Sequence, residues 1–236
     1  MAKIRINKFL SKMGICSRRK SEKLILQNRI KINGQIAKIG QKVDKNDVVE
    51  LDNLKIIEKP LIFWYAFNKP KNYITSRFDP ENRPTIMEFF DKNTYIFPVG
   101  RLDFKTTGLI LITNDGKICN KLLHPSFKIK REYLVKTNFD LSDSEINFLN
   151  QNVIQLNKVK STQKIKKIGT KTYIVIVWQG SNHHVKKIFS TINKKVTKLK
   201  RISFANIKLG NLKPGNWRRL TNKEIEILKT QVKKTS

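Results

Sequence analysis

Residues 96–116 read IFPVGRLDFKTTGLILITNDG. The first apolar run stops at Val99-Gly100, a second run begins near Leu109, and Asn114-Asp115-Gly116 closes it with a turn signal. The spacing predicts two strands joined by a loop that presents Arg101 and Asp103. A carboxylate on such a loop is well placed to face a groove. Taken alone, Asp103 reads more readily as a turn or cap residue, because Asp is common in both roles.

Similar short runs flank this stretch. Leu61–Phe67 is apolar and aromatic and halts at Asn68-Lys69-Pro70, which predicts a buried strand leading into a turn. Ile110–Thr113, Tyr133–Lys136, Tyr173–Trp178 and Ile202–Leu209 read the same way. Ser142 with Glu145, and Thr221 with Glu224, are capping-box pairs that announce helices. Val185, Ile188, Phe189 and Ile192 mark an amphipathic one. Helices alternate with strands too irregularly for a doubly wound sheet, so the expectation is an α+β domain with a largely antiparallel central sheet flanked by helices. The ten glycines never fall into GxGxxG or GxxxxGK spacing, which argues against a nucleotide cofactor, an NTPase or a methyltransferase.

The N-terminal stretch RINKFLSKMGICSRRKSEKLI (5–25) has a different character. Ile6, Phe9, Leu10 and Met13 lie at helical spacing and Gly14 ends that helix. Ser17 can cap a second helix that carries Arg18, Arg19, Lys20 and Lys23. RIKINGQIA follows, with alternating Ile30 and Ile32 and the Asn33-Gly34 turn signal, so the order is helix, helix, hairpin. Residues 53–60 lack periodicity and end at Pro60, where a linker is expected. The predicted division is a basic module at 1–58 and a larger domain at 61–236.

Lys and Arg number 49 against 18 Asp and Glu, a net charge of +31, which points to a polyanionic partner. No apolar run is long enough to span a membrane and no signal-peptide core begins the chain, so a cytoplasmic protein without membrane association is expected. Cys16 and Cys119 stand far apart, which excludes a disulfide framework and a Cys-rich zinc site. His183 and His184 point in different directions at a helix start, and His124 is remote, so no metal is expected.

Taken together, the motifs carry a resemblance. The stretch from Arg5 to about Leu51, with its basic first helix, GxCSRR junction and KINGQ turn, resembles the alpha-L RNA-binding module. The resemblance implies that Arg5, Lys8, Arg18, Arg19 and Lys20 grip phosphates, contacts that position an RNA without specifying sequence. The pattern GRLDxxTxGLxLxTNDG, kept here at Gly100, Arg101, Leu102, Asp103, Thr106, Gly108, Asn114, Asp115 and Gly116, resembles the RsuA-type ribosomal RNA pseudouridine synthases. So do FNKPKNYITS (67–76), DPENRPT (79–85), KREYLVK around Tyr133, GSNHHVKKIF (180–189) and LKRISFANIKLGNLKPGNWRRLT (199–221).

That resemblance implies Asp103 as the catalytic nucleophile, Tyr133 packed against the target base, and Lys186 paired with the aspartate. It implies ribosomal RNA or an assembling ribosomal subunit as partner, with the DPENRPT and REY segments closer to the large-subunit members, and a monomeric enzyme. Arg101, His183, His184 and Lys187 are expected to contact RNA, with Arg101 equally suited to serve beside Lys186 as an electrostatic partner of Asp103. No cofactor is expected, since every atom of the uridine remains in the product. The family usually has Arg or Lys at Ser181, Gln at His184 and often Arg at Lys186; the last change keeps the cation but loses the planar fork of Arg.

Overall fold

The structure is a computed structural model that describes residues 3–57, 61–91, 94–157 and 159–233. It divides into two compact units, one of residues 1–63 with 92–96 and 114–116, the other of the remainder.

In the first unit, helices Ile6–Lys12 and Arg18–Leu26 precede a small antiparallel sheet. The predicted stripe is seen in burial: Ile6 and Leu10 pack with Leu24, Ile25, Ile30, Ile32 and Val49. Asn7 donates to Glu22 at 2.7 Å and ties the two helices. Ser17 caps the second helix by accepting from the Lys20 amide at 3.1 Å. Asn33 and Gly34 both adopt positive φ between strands Ile30–Ile32 and Gln35–Ile36, as a two-residue hairpin turn requires.

The stretch read as linker begins instead as structure. Asp52 and Asn53, with φ of 51° and 67°, turn the Val49–Leu51 strand into Leu54–Lys55, its antiparallel partner. Turn-forming Asp and Asn hid this hairpin because both its strands are too short to show alternation. Residues 58–60 lie outside the described residues.

The second unit is built on a sheet whose order is Gln163–Gly169, Thr172–Val177, Arg131–Thr137, Val196–Phe204, Thr107–Thr113, Trp64–Lys69, Trp217–Arg219. Every pairing along this path is antiparallel except Val196–Phe204 with Thr107–Thr113, which is parallel. One core layer gathers Trp64, Ala66, Leu109, Leu111, Phe204 and Leu228. Both predicted capping boxes form, at helices Asp143–Gln151 and Asn222–Gln231.

Two strand boundaries differ from expectation. The first strand begins at Trp64, and Leu61 and Ile62 are exposed; an apolar run does not mark its own start. Ile202–Leu209 is not one strand: Ala205 and Asn206 take positive φ and fold Ile207–Lys208 back onto Val196–Phe204.

Candidate active site

The loop between strands Phe97–Pro98 and Thr107–Thr113 carries Asp103. The segment FNKPKNYITS holds it in place. Thr75 Oγ1 donates to the Leu102 carbonyl at 2.8 Å and accepts from the Leu102 amide at 3.2 Å. The Asn72 amide donates to the Phe104 carbonyl at 2.8 Å. Lys69 is fully buried, and its Nζ donates to the carbonyls of Pro70, Phe104 and Thr106 at 3.0, 3.3 and 3.0 Å. Burial pushes the Lys69 ammonium down to about 8, against a raising influence from Asp103. Removing a cation from water is costly unless its donors are satisfied, and three carbonyls meet that need, two of them from the Asp103 loop. Within the loop, the Thr106 amide donates to the Asp103 carbonyl at 3.0 Å and Thr106 Oγ1 reaches Oδ2 at 3.4 Å.

Helix His184–Ser190 brings the opposing cation. Its N-cap, His183, sits in the left-handed region at φ 55°, a conformation His tolerates better than most residues. Lys186 Nζ donates to Asp103 Oδ2 at 2.8 Å, and His183 Nε2 lies 3.7 Å from Oδ1. Eighty-three positions of sequence separate Lys186 from Asp103; the fold closes that gap.

Asp103 lines a cleft of ≈ 1070 Å³ together with Arg101, Tyr133, Arg131, Arg201 and Phe204. Tyr133 is buried on strand Arg131–Thr137, directly opposite Arg201 on the neighbouring strand. Arg131 and Arg201 are buried as well, and their guanidinium carbons lie 5.3 and 4.9 Å from the centroid of the Phe204 ring, in the range of cation–π attraction. Arg131 donates to the carbonyls of Ile129 and Trp178 at 2.7 and 3.1 Å. Burial pushes Arg131 down to about 10; Tyr133 opposes the shift and Arg201 adds to it. At the cleft edge, Arg83 grips Asp79 with two bonds of 2.9 and 2.8 Å. That pair holds the Asp79 carboxyl below its usual range and fixes the DPENRPT loop.

The residues expected from sequence separate into three groups. Asp103, Tyr133, Arg101 and His183 line the one cleft, and Lys186 reaches Asp103 from the helix behind it. Arg5, Lys8, Arg18, Arg19 and Lys20 are exposed in the N-terminal unit. Lys187 is half-buried on the Lys186 helix.

His184 departs from its expected RNA contact. It is buried, with Nε2 2.9 Å from Ser161 Oγ and Nδ1 2.9 Å from Ser181 Oγ. Both ring nitrogens are thus spent inside the protein. His183 is the left-handed N-cap and lies outside the helix that His184 begins, so one histidine of the pair faces out and the other in. Ser181 and His184, two of the three departures from the family pattern, are hydrogen-bonded to each other.

Burial, then Arg131 and Lys187, push His184 down to about 4. The unfolded chain takes up this proton below about 6.5 while the folded one does not, so stability falls as pH drops from 6.5 toward 4. At pH 4.5 the cost from this one group is roughly 2–3 kcal/mol. The expected outcome is that His184→Gln, which keeps a donor and an acceptor, loses less stability than wild type between pH 7 and 4.5 in urea unfolding. Parallel losses in the two proteins would refute the assignment.

Sequence reasoning gave no role to Lys69, Thr75, Arg131 or Arg201. The available signal was a charged residue at the end of an apolar run, as Lys69 is, or one in phase with the inward positions of its strand, as Arg131 is with Tyr133 and Val135.

Comparison with known proteins places this geometry in a family. Residues 64–230 match the RNA pseudouridylate synthase family and residues 4–49 match the S4 domain. An RNA pseudouridine synthase of Aquifex aeolicus is 38% identical, covering 95% of this chain and 93% of its own. The ribosomal large subunit pseudouridine synthase B of Bacillus subtilis is 33% identical, covering 95% of each. A crystal structure of a pseudouridylate synthase superposes with a TM-score of 0.70 at 26% identity, covering 95% of this chain and 99% of that one. The chain belongs to the RNA pseudouridylate synthase family, with an S4 domain at its N-terminal side.

Proposed function

We propose that this enzyme converts a uridine of large-subunit ribosomal RNA to pseudouridine, with Asp103 as the reacting carboxylate. The observation that carries the reading is the 2.8 Å pair of Asp103 with Lys186 on a loop facing the cleft that Tyr133 lines. Isomerisation breaks the bond from C1′ to N1, forms one from C1′ to C5, and exchanges the hydrogen at C5 for one at N1. No electrons are gained or lost. A carboxylate can attack the sugar, attack C6 of the base, or remove a ribose proton to give a glycal. Each route uses the charged form, for which Lys186 supplies the countercharge.

The target must leave its stack before its glycosidic bond is reachable. Tyr133 offers a flat, buried ring for the everted base, and Arg101 and His183 stand at the cleft for the flanking RNA. The large-subunit assignment draws on the relative from Bacillus subtilis and on the DPENRPT and REY segments. The enzyme works as a monomer in the cytoplasm, where ribosomal RNA is made. Tritium release from large-subunit transcript labelled at uracil C5 is the test. Release from that RNA and not from small-subunit transcript is expected; the reverse preference would refute the assignment.

Arg18, Arg19 and Lys20 occupy the first turn of their helix, which holds no acidic residue. Three cations at the positive end of a helix are locally unfavourable, and a bound phosphate would relieve that. Arg18→Ala with Arg19→Ala should weaken RNA binding and lower the magnitude of the slope of log K against log salt by about 1 to 2. An unchanged slope in filter binding would show that neither side chain meets a phosphate.

A further inference from the structure

We propose that Gln179 and Arg201 read the hydrogen-bonding edge of the everted uracil, an inference that rests on the site being a uridine isomerase. Among the described residues, four buried side-chain polar atoms find no hydrogen-bond partner: Asn7 Oδ1, Trp64 Nε1, Gln179 Oε1 and Arg201 Nη2. The last two belong to residues that line the Asp103 cleft. One is an acceptor and the other a charged donor. A buried polar atom without a partner is costly to fold around, and two of them in the cleft that Asp103 lines point to a ligand that satisfies both.

The surrounding contacts bring the two residues to the same part of the cleft. Arg201 spends Nε on the Leu109 carbonyl at 2.7 Å, which fixes the guanidinium and leaves Nη2 over. Its carbon lies 4.9 Å from the Phe204 ring, which it shares with Arg131. Arg131 in turn donates to Trp178, the residue before Gln179, and a side chain at Gly180 would touch its Nε at 3.5 Å. Gln179 therefore sits between two residues that meet Arg131, in the cleft that Arg201 also lines.

Uracil offers a matching pattern. Its N3–H is a donor flanked by the O2 and O4 carbonyls, so Gln179 Oε1 can accept from N3 while Arg201 Nη2 donates to an adjacent oxygen. Cytosine has a bare acceptor at N3, which would face the Gln179 oxygen and leave it unpaired; sites built on such bonds reject the wrong partner strongly. When the glycosidic bond breaks with its electron pair left on the base, negative charge spreads onto O2 and O4. The Arg201 donor is then strengthened in the transition state, which raises rate as well as selectivity.

Single-turnover tritium release from large-subunit transcript, with RNA affinity by filter binding, tests this. Gln179→Leu should slow release about 10- to 100-fold while affinity changes by less than about twofold, because the lost bond belongs to the everted base alone. Gln179→Glu, whose carboxylate still accepts from N3–H, should stay within about fivefold of wild type. Arg201→Lys, checked for folding by thermal unfolding, should also lose rate rather than affinity. Wild-type rates in Gln179→Leu, or equal losses in the Leu and Glu variants, would overturn the inference and leave the isomerase reading standing. Absence of release by the wild-type enzyme would overturn both.

Discussion

Asp103→Asn is expected to abolish tritium release, by at least about 10⁴-fold, since an amide neither attacks carbon nor takes a ribose proton. The substitution is nearly isosteric. The amide oxygen can still accept from Lys186 Nζ, now at 2.8 Å from Oδ2, and from Thr106. The loop is held independently by Thr75, Asn72 and Lys69, all of which engage its backbone and not the carboxylate. Folding and RNA affinity should therefore remain close to wild type, and the loss should fall on the chemical step. Release at the wild-type rate would remove Asp103 from the reaction. A loss accompanied by weak RNA binding would mean that the carboxylate organises the cleft instead of reacting in it.

The second large effect is expected from Gly108→Ala, five residues further along. Gly108 adopts φ +102°, and a Cβ there would overlap the Arg201 carbonyl oxygen and lie 2.7 Å from the Arg201 amide nitrogen. The obstacle is backbone on the paired strand, so no side-chain rotation relieves it. This is the parallel junction of the sheet, where Lys200 and Arg201 meet Thr107 and Gly108. A strained backbone added to a direct clash places the cost at about 4 kcal/mol or more. For a domain of this size that is a fall in Tm of roughly 10 °C or more. Activity should drop with it, because the strand that moves begins where the Asp103 loop ends. A melting temperature within a few degrees of wild type would show that the junction opens easily and that the tight packing is not required.

Both substitutions fall within the stretch GRLDFKTTGL, and this reflects how the molecule is encoded. Local signals carried a good deal. Ser17, Ser142 and Thr221 cap the helices they announce, and Asn33-Gly34 turns the hairpin it predicts. Each is an interaction between residues a few positions apart, so sequence spacing and spatial spacing coincide. The strand at Trp64 starts after the Leu61 that the apolar run predicts, and Leu54–Lys55 pairs as a strand inside the 53–60 stretch expected to be linker. Edges of this kind are set by which backbone groups find a partner across the sheet, and that partner lies elsewhere in the chain.

By itself, then, the sequence determined the class of fold, the loop that presents Asp103 and a strongly basic character suited to RNA. The family resemblance already implied Lys186 as the partner of that carboxylate; only the tertiary structure decided what surrounds the pair. Lys69 comes from a strand before Asp103 to hold its loop, and Arg201 enters the same cleft across a parallel pairing. Tertiary packing also turned His184 inward to two serines while leaving its neighbour His183 at the cleft. The reason is physical: whether a charged or polar side chain meets water, a partner or an empty site depends on burial, and burial is a property of strands brought together from distant parts of the chain.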